Sequence, residues 1–182
     1  MTSALAGHIL GEDVYAPQNV PLSKTTSVDG YALRCLYVHY TSCTMLMLPA
    51  ASDPPGVYKV LTSKTHAVSD VLPAGSILRI NTGGPLPAGT DTVIMVEDTE
   101  LVSTVKENDG RDAEEKEVKT LAQVPPGDNV REPGSDVCKG DLVLQRGEVI
   151  TSLGGEVGTL AFVGRKEVGS HLPYVIAEMN WY

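Results

Sequence analysis

The sequence predicts a mainly β chain of the α+β class with few short helices. Glycine (18) and proline (12) are frequent and spread along the 182 residues. They punctuate short runs rich in Val, Ile, Leu and Thr, which is how strands separated by turns read. Only one stretch, after Thr151-Ser152, carries a helix start.

In chain order, "HILGEDVYA" at 8–16 enters a strand, and Pro17 and Pro21 bound an extended loop. "GVYKVLTS" at 56–63 and "GSILRINTG" at 75–83 are the next strands. Residues 90–124 hold two or three more, turned at Asn108-Asp109-Gly110, and the acids clustered there suit a solvated hairpin tip. "GDLVLQRGEVIT" at 140–151 reads as a strand, a tight Arg146-Gly147 turn and a short second strand. Thr151 or Ser152 would then cap a helix running to Val163, in which Gly154, Gly155 and Gly158 each cost up to about 1 kcal/mol relative to Ala. "YVIAEM" at 174–179 looks like a buried strand. Residues 35–50, "CLYVHYTSCTMLMLPA", differ from their surroundings, with no Asp, Glu, Lys or Arg, and read as a buried strand or an insertion.

The net charge is −9 at pH 7. Much of it lies in 97–117, where nine acids face three basic residues. The missing basic stripe argues against nucleic acid as the main partner. Cys35, Cys43 and Cys138 show no C-x-x-C spacing, so neither a disulfide framework nor a zinc site is indicated, and a reducing, cytoplasmic setting fits. No signal peptide is visible, and "CTMLMLPAA" is too short to span a bilayer. His8, His39, His66 and His171 lack ligand spacing.

Three motifs carry candidate chemistry. "NTGGPLPAGTD", 81–91, is a stiff loop whose N–H groups, with the Thr82 hydroxyl, would face an oxyanion, or else a plain link between two strands. It lacks the Lys-Ser/Thr of a P-loop. "SVDGYALR", 27–34, places Asp29 at an Asp-Gly corner, where a carboxylate either bonds its own backbone or binds a hard cation. "NVREPGSDVCKGD", 129–141, offers Arg131 as a bidentate phosphate clamp and Asp136 as a second acid; an exposed Arg in such a loop is also commonly just solvated.

Together, "GHILGEDVYAPQNVPLSKTTSVDGYALR", "LPAGSILRINTGGPLPAGTDTVIMVEDTE" and "PPGDNVREPGSDVCKGDLVL" resemble the N-terminal half of the molybdopterin molybdenumtransferases, the group of bacterial MoeA and the E domains of plant Cnx1 and gephyrin. The likeness covers nearly all of 5–34 and 51–178 and makes 35–50 an insertion after Arg34.

The resemblance implies a β-rich lid domain (21–137) inserted in a small discontinuous linking domain (1–20 and 138–174), with 175–182 as the truncated start of an α/β pterin-binding domain. It implies insertion of molybdenum from molybdate into adenylylated molybdopterin with Mg²⁺, release of AMP, and a homodimer. By motif, Asp29 and Thr82 become catalytic, with Asp29 on the Mg²⁺, and Gly83, Arg131 and Asp136 become substrate-binding. Because the dithiolene sulfurs belong to the cofactor, no protein cysteine is required. The break after "PYVIAEMNWY" leads to the expectation of a truncated product that does not turn over substrate alone, or of a non-enzymatic scaffold of gephyrin type.

Overall fold

The computed structural model describes residues 6–37, 49–105, 114–151 and 155–172. In chain order the strands are β1 (Ile9–Leu10), β2 (Val14–Tyr15), β3 (Thr25–Thr26), β4 (Gly30–Tyr37), β5 (Pro49–Ser52), β6 (Val57–Leu61) and β7 (Ser76–Ile80). Then come β8 (Thr90–Met95), a 3₁₀ turn at Val96–Asp98, β9 (Thr99–Val105), β10 (Glu114–Thr120), β11 (Val130–Arg131), β12 (Leu142–Leu144), the helix α1 (Glu156–Phe162) and β13 (Ser170–His171). The mainly β class predicted from the sequence is what the chain adopts.

The chain divides into two compact units, one formed by 1–22 with 133–182 and the other by 23–132. In the second unit, seven strands form one sheet in the order β5-β4-β7-β6-β10-β9, with β8 paired to β4. β4 is the pivot. Its first half is flanked by β7 and β8, and its second half pairs with β5 through Cys35↔Ser52 and Tyr37↔Pro49. All pairs are antiparallel except β6 with β7, which are parallel because residues 62–75 cross over between them.

Strand alternation sorts side chains onto two faces, and in the middle of this sheet both faces are buried. Tyr31, Leu33, Ile77 and Ile94 join Tyr58, Val60 and Val118 in one core. Their immediate neighbours Ala32, Leu78, Ile80 and Val93 pack with Leu72 and Leu86 in the other. Hence the apolar runs here are nearly continuous, whereas β6 and β10 alternate and β9, at the edge, is largely exposed.

The first unit is built from β1 with β13 and β2 with β12, over a core of Leu10, Val14, Leu144, Ile150 and Leu160. Two expectations change here. The helix begins at Glu156 rather than at 151 or 152. The donors of Thr151 reach forward to the Glu156 carboxylate instead, the hydroxyl at 3.0 Å and the N–H at 3.3 Å, so Thr151 ties down the chain before the helix without capping it. After the Arg146-Gly147 turn, Val149 makes one isolated bridge with Ile9 and no second strand forms. The cap at Ser152, the turn at 108–110, the strand at 174–179 and most of the 35–50 block lie outside the described residues.

Candidate functional site

Asp29 and Thr82, chosen from two distant motifs, are in direct contact. The Thr82 N–H donates to Asp29 Oδ1 at 2.7 Å, and the Thr82 hydroxyl donates to the same oxygen at 2.9 Å. Strand register brings them together: Gly30 opposes Ile80 and Tyr31 opposes Arg79, so the residue before β4 meets the loop after β7. Asp29 therefore does not bond its own backbone, as an Asp-Gly corner commonly does.

The corner itself is fixed from several sides. The Thr26 hydroxyl donates to the Val28 carbonyl and accepts from the Val28 N–H, and the Asp29 carbonyl accepts from the Val96 N–H. Gly30 is required by β8, since a Cβ at that position would stand 2.0 Å from the Ile94 carbonyl oxygen.

Both side chains are exposed. The two Thr82 bonds, its N–H first and its hydroxyl second, hold the Asp29 carboxyl below the ordinary aspartate range. Slight desolvation opposes them, and the charge of Arg79 assists. Oδ2 has no hydrogen-bond partner among the described residues.

The expected cradle of free amides in the Thr82-Gly83-Gly84 loop does not stand open. The Thr82 N–H is held by Asp29, the Gly83 N–H donates to the Thr26 carbonyl at 2.8 Å, and the Gly84 N–H donates to the Asn81 carbonyl at 2.8 Å. Gly83 has φ +82, a left-handed conformation that favours glycine. The loop is thus a rigid mount for Thr82, with its amides engaged inside the protein.

Arg131 lies on β11, paired with Thr25 of β3, beside the Thr26 carbonyl that holds Gly83. It belongs to a two-stranded ribbon rather than to an irregular loop. Asn129, two residues earlier, adopts φ 60 and donates its side-chain amide to the Val93 carbonyl at 2.9 Å, which anchors this segment to β8. Asp136 falls in the other compact unit, exposed, with its N–H donating to the Val20 carbonyl at 2.9 Å.

Sequence reasoning missed a charged network one residue pair inside the clasp. Arg79 Nη1 donates to the Tyr31 hydroxyl at 2.9 Å and to Glu115 Oε1 at 3.1 Å, while the Tyr31 hydroxyl donates to Glu115 Oε2 at 2.8 Å. The guanidinium also lies over the Tyr31 ring, 5.2 Å from its centroid. Burial, and then the Glu115 carboxylate, push the Tyr31 hydroxyl above its ordinary pKa, with Arg79 pulling the other way. The available signal was the single charge in the apolar run "SILRI".

Among the described residues no group of three or more His, Cys, Asp or Glu side chains is placed to hold a metal. A cation at Asp29 would therefore find fewer than three such side chains among the described residues and would take further oxygens from water and substrate, a pattern common for Mg²⁺. Among the described residues, too, no helix is long and apolar enough to cross a membrane.

Comparison with known proteins gives a consistent answer. Residues 1–164 match the family model described as the MoeA N-terminal region, domain I and II. The chain is 32% identical over 164 residues to a molybdopterin molybdenumtransferase of Haemophilus influenzae, covering 90% of this chain and 34% of the relative. It is 28% identical over 175 residues to gephyrin of Dictyostelium discoideum, covering 87% of this chain and 20% of the relative. Among solved structures it is similar to the molybdopterin biosynthesis moeA protein of Pyrococcus horikoshii OT3, with a TM-score of 0.60 and 25% identity over 90% of this chain and 38% of that one. The chain thus spans about a third or less of the relatives it matches.

Proposed function

The chain belongs to the family of MoeA N-terminal regions, and on that premise we propose that it supplies the cation-holding part of a molybdopterin molybdenumtransferase reaction. In that reaction molybdenum from molybdate enters adenylylated molybdopterin and AMP leaves. The proposal rests on one observation: Thr82 donates two hydrogen bonds to Asp29 Oδ1, which favour the charged carboxylate and fix its direction, while Oδ2 is left without a partner among the described residues.

These residues fit Mg²⁺ as a site with few protein carboxylates. Asp29 Oδ2 would hold the ion, and Thr82 would fix the carboxylate's direction while its hydroxyl oxygen retains a lone pair. The chemistry magnesium supplies when bound is neutralisation of charge on the phosphate oxygens of the adenylate. Arg131 is proposed to recognise phosphate, and Gly83 to admit substrate, since a Cβ there would meet nothing within 4 Å. For Asp136 the assignment as a second acid rests on its motif alone. Homodimeric assembly and a cytoplasmic location belong to the same reading.

The test supplies the C-terminal two thirds of the Haemophilus influenzae relative in trans and measures AMP release with Mg²⁺, molybdate and adenylylated molybdopterin. We expect release from the mixture, none from the chain alone, and loss with Asp29→Ala. If the mixture releases no AMP while the chain is folded, and Mg²⁺ fails to shift the Asp29 carboxyl resonance, the proposal is overturned.

A further inference from the structure

The seven-stranded sheet covers two of its margins and leaves a third bare. Beside β8 runs the segment 125–129, whose Asp128 carbonyl accepts from the Val93 N–H at 3.2 Å and whose Gly127 N–H donates to the Asp91 carbonyl at 2.9 Å. β5 is covered at Ser52, whose carbonyl accepts from the Gln123 side chain and whose hydroxyl donates to the Val124 carbonyl. β9, last in the strand order, has β10 on one side and no strand among the described residues on the other.

The outer side of β9 offers both backbone and apolar surface. The Thr120 N–H donates to the Gly56 carbonyl at 2.8 Å, away from β9, so by antiparallel alternation Val118 and Thr120 turn their backbone groups towards β6. Their opposites Leu101 and Thr99 turn theirs outward. The Thr99 N–H folds back onto the Val96 carbonyl, whereas that of Leu101 has no strand to receive it. Leu101 also stands opposite the buried Val118, so an apolar face of the sheet runs out to this margin and stops at a side chain 54% exposed. Val102 and Val105 are about half exposed as well. Bare edges are commonly blunted by lysine or proline. β9, TELVSTV, has neither, and its one charge, Glu100, lies 3.9 Å from Lys119 of β10.

Charge decides what would fit there. Across 97–105 and 114–120 six acids stand against two lysines. Glu97 and Asp98, just before β9, make no ion pair with a described residue, and Lys119 is already taken by Glu100, which leaves Lys116 as the one lysine not so engaged. A second copy of this chain would bring the same acids to the same edge, where like charges oppose pairing. A cationic strand would meet opposite charge instead.

We propose that β9 is a docking edge for an extended peptide in which apolar residues alternate with lysine or arginine, added to the sheet as a further strand. Backbone bonds at Leu101 supply affinity, the apolar side chains continue the face that ends there, and the cations lie over Glu97, Asp98 and Glu100. This inference stands apart from the reaction proposed above.

The probe is a capped octapeptide of four Lys-Val repeats, titrated into the full chain and followed by amide NMR and hydrogen exchange. Binding should be weak, with a Kd of about 0.1–1 mM. It should slow exchange of the Leu101 amide, which charge attraction without strand addition would not do. Raising NaCl from about 50 to about 500 mM should weaken it about 5-fold. The matching Glu-Val peptide should not bind. Leu101→Pro removes the outward N–H at no cost in existing strand bonds, so the chain should stay folded and lose the peptide. Val102→Lys, which adds the peptide's own sign of charge at the edge, should weaken binding at least about 5-fold. The proposal is overturned by unchanged Leu101 exchange with the Lys-Val peptide, by equal binding of the Glu-Val peptide, or by undiminished binding in either folded variant. It is overturned too if the β9 amides of the peptide-free chain become protected as its concentration rises, which would make a second copy the occupant.

Discussion

Asp29 Oδ1 accepts two hydrogen bonds from one residue, the N–H and the hydroxyl of Thr82, across 53 positions of sequence. Because those bonds favour the charged carboxylate, its folded-state pKa lies below the unfolded value of about 3.9. The linked stabilisation is present above the unfolded pKa and is lost as pH falls through the folded one. Thr82→Val keeps the N–H bond and removes the hydroxyl, so the Asp29 pKa should rise part of the way towards its ordinary value. Carboxyl carbon NMR between pH 2 and 6 measures this, and an unchanged titration would mean the hydroxyl bond does not form in solution.

Gly30 is the tightest position in the clasp. A Cβ there would meet the backbone carbonyl of Ile94 at 2.0 Å, so β4 and β8 must separate in Gly30→Ala. We expect a loss of about 3 kcal/mol, at the upper end for overpacked sites. Gly83→Ala makes no steric contact and suffers only from its left-handed backbone, which costs about 1 kcal/mol. Urea unfolding of both variants checks the order, and equal losses would refute the clash.

The difference between local and register-dependent features explains what was legible in the sequence. β6, β7 and β8 were readable because apolar runs and flanking Gly and Pro are local signals. The parallel pairing of β6 with β7 was not, since it depends on where the crossover returns. Thr82 and Asp29 stood out separately by residue type, but only register makes them meet. The same holds for Arg79 and Tyr31, which are opposed on β7 and β4. At α1 the local signal misled, because the Thr151 side chain bonds Glu156 instead of a helix N–H.

The Tyr31–Arg79–Glu115 network should behave as one unit. The Arg79 and Glu115 side chains are 33% and 30% exposed, between a surface pair worth under 1 kcal/mol and a buried one whose breakage costs 3–5 kcal/mol. Arg79→Ala and Glu115→Ala should each cost about 1–3 kcal/mol, and the double variant less than their sum. Additive losses in denaturant melts would show that the two side chains are not coupled.

Tyr31 gives that network an alkaline signature. Burial raises its pKa, so its contribution is complete below about pH 10, where the unfolded tyrosine ionises, and is lost as pH rises through the higher folded value. Tyr31→Phe should flatten the fall in stability above pH 10 while lowering stability at neutral pH by about 1 kcal/mol for the lost hydrogen bonds. Thermal melts from pH 7 to 11 would show it, and identical alkaline slopes would place the Tyr31 hydroxyl in solvent.

The sheet should hold without residues 38–48. β4 is fastened over Gly30–Arg34 by β7 and β8, and β5 is fastened independently of that segment. Ser52 is buried, its hydroxyl donates to the Val124 carbonyl at 2.6 Å, and its carbonyl accepts from the Gln123 side chain at 3.0 Å. Because Tyr37 and Pro49 face each other across the β4–β5 pair, a short Gly-Ser-Gly-Ser linker, which asks no N–H of Pro49, can join their strands. Replacing 38–48 by that linker should therefore shift the Tm by only a few degrees, since about 1 kcal/mol moves a chain of this length by about 2–4 °C. The Asp29 carboxyl resonance should also stay where it is. A fall beyond about 10 °C would mean that the excised residues contribute to the core, and a displaced Asp29 signal that they position the clasp.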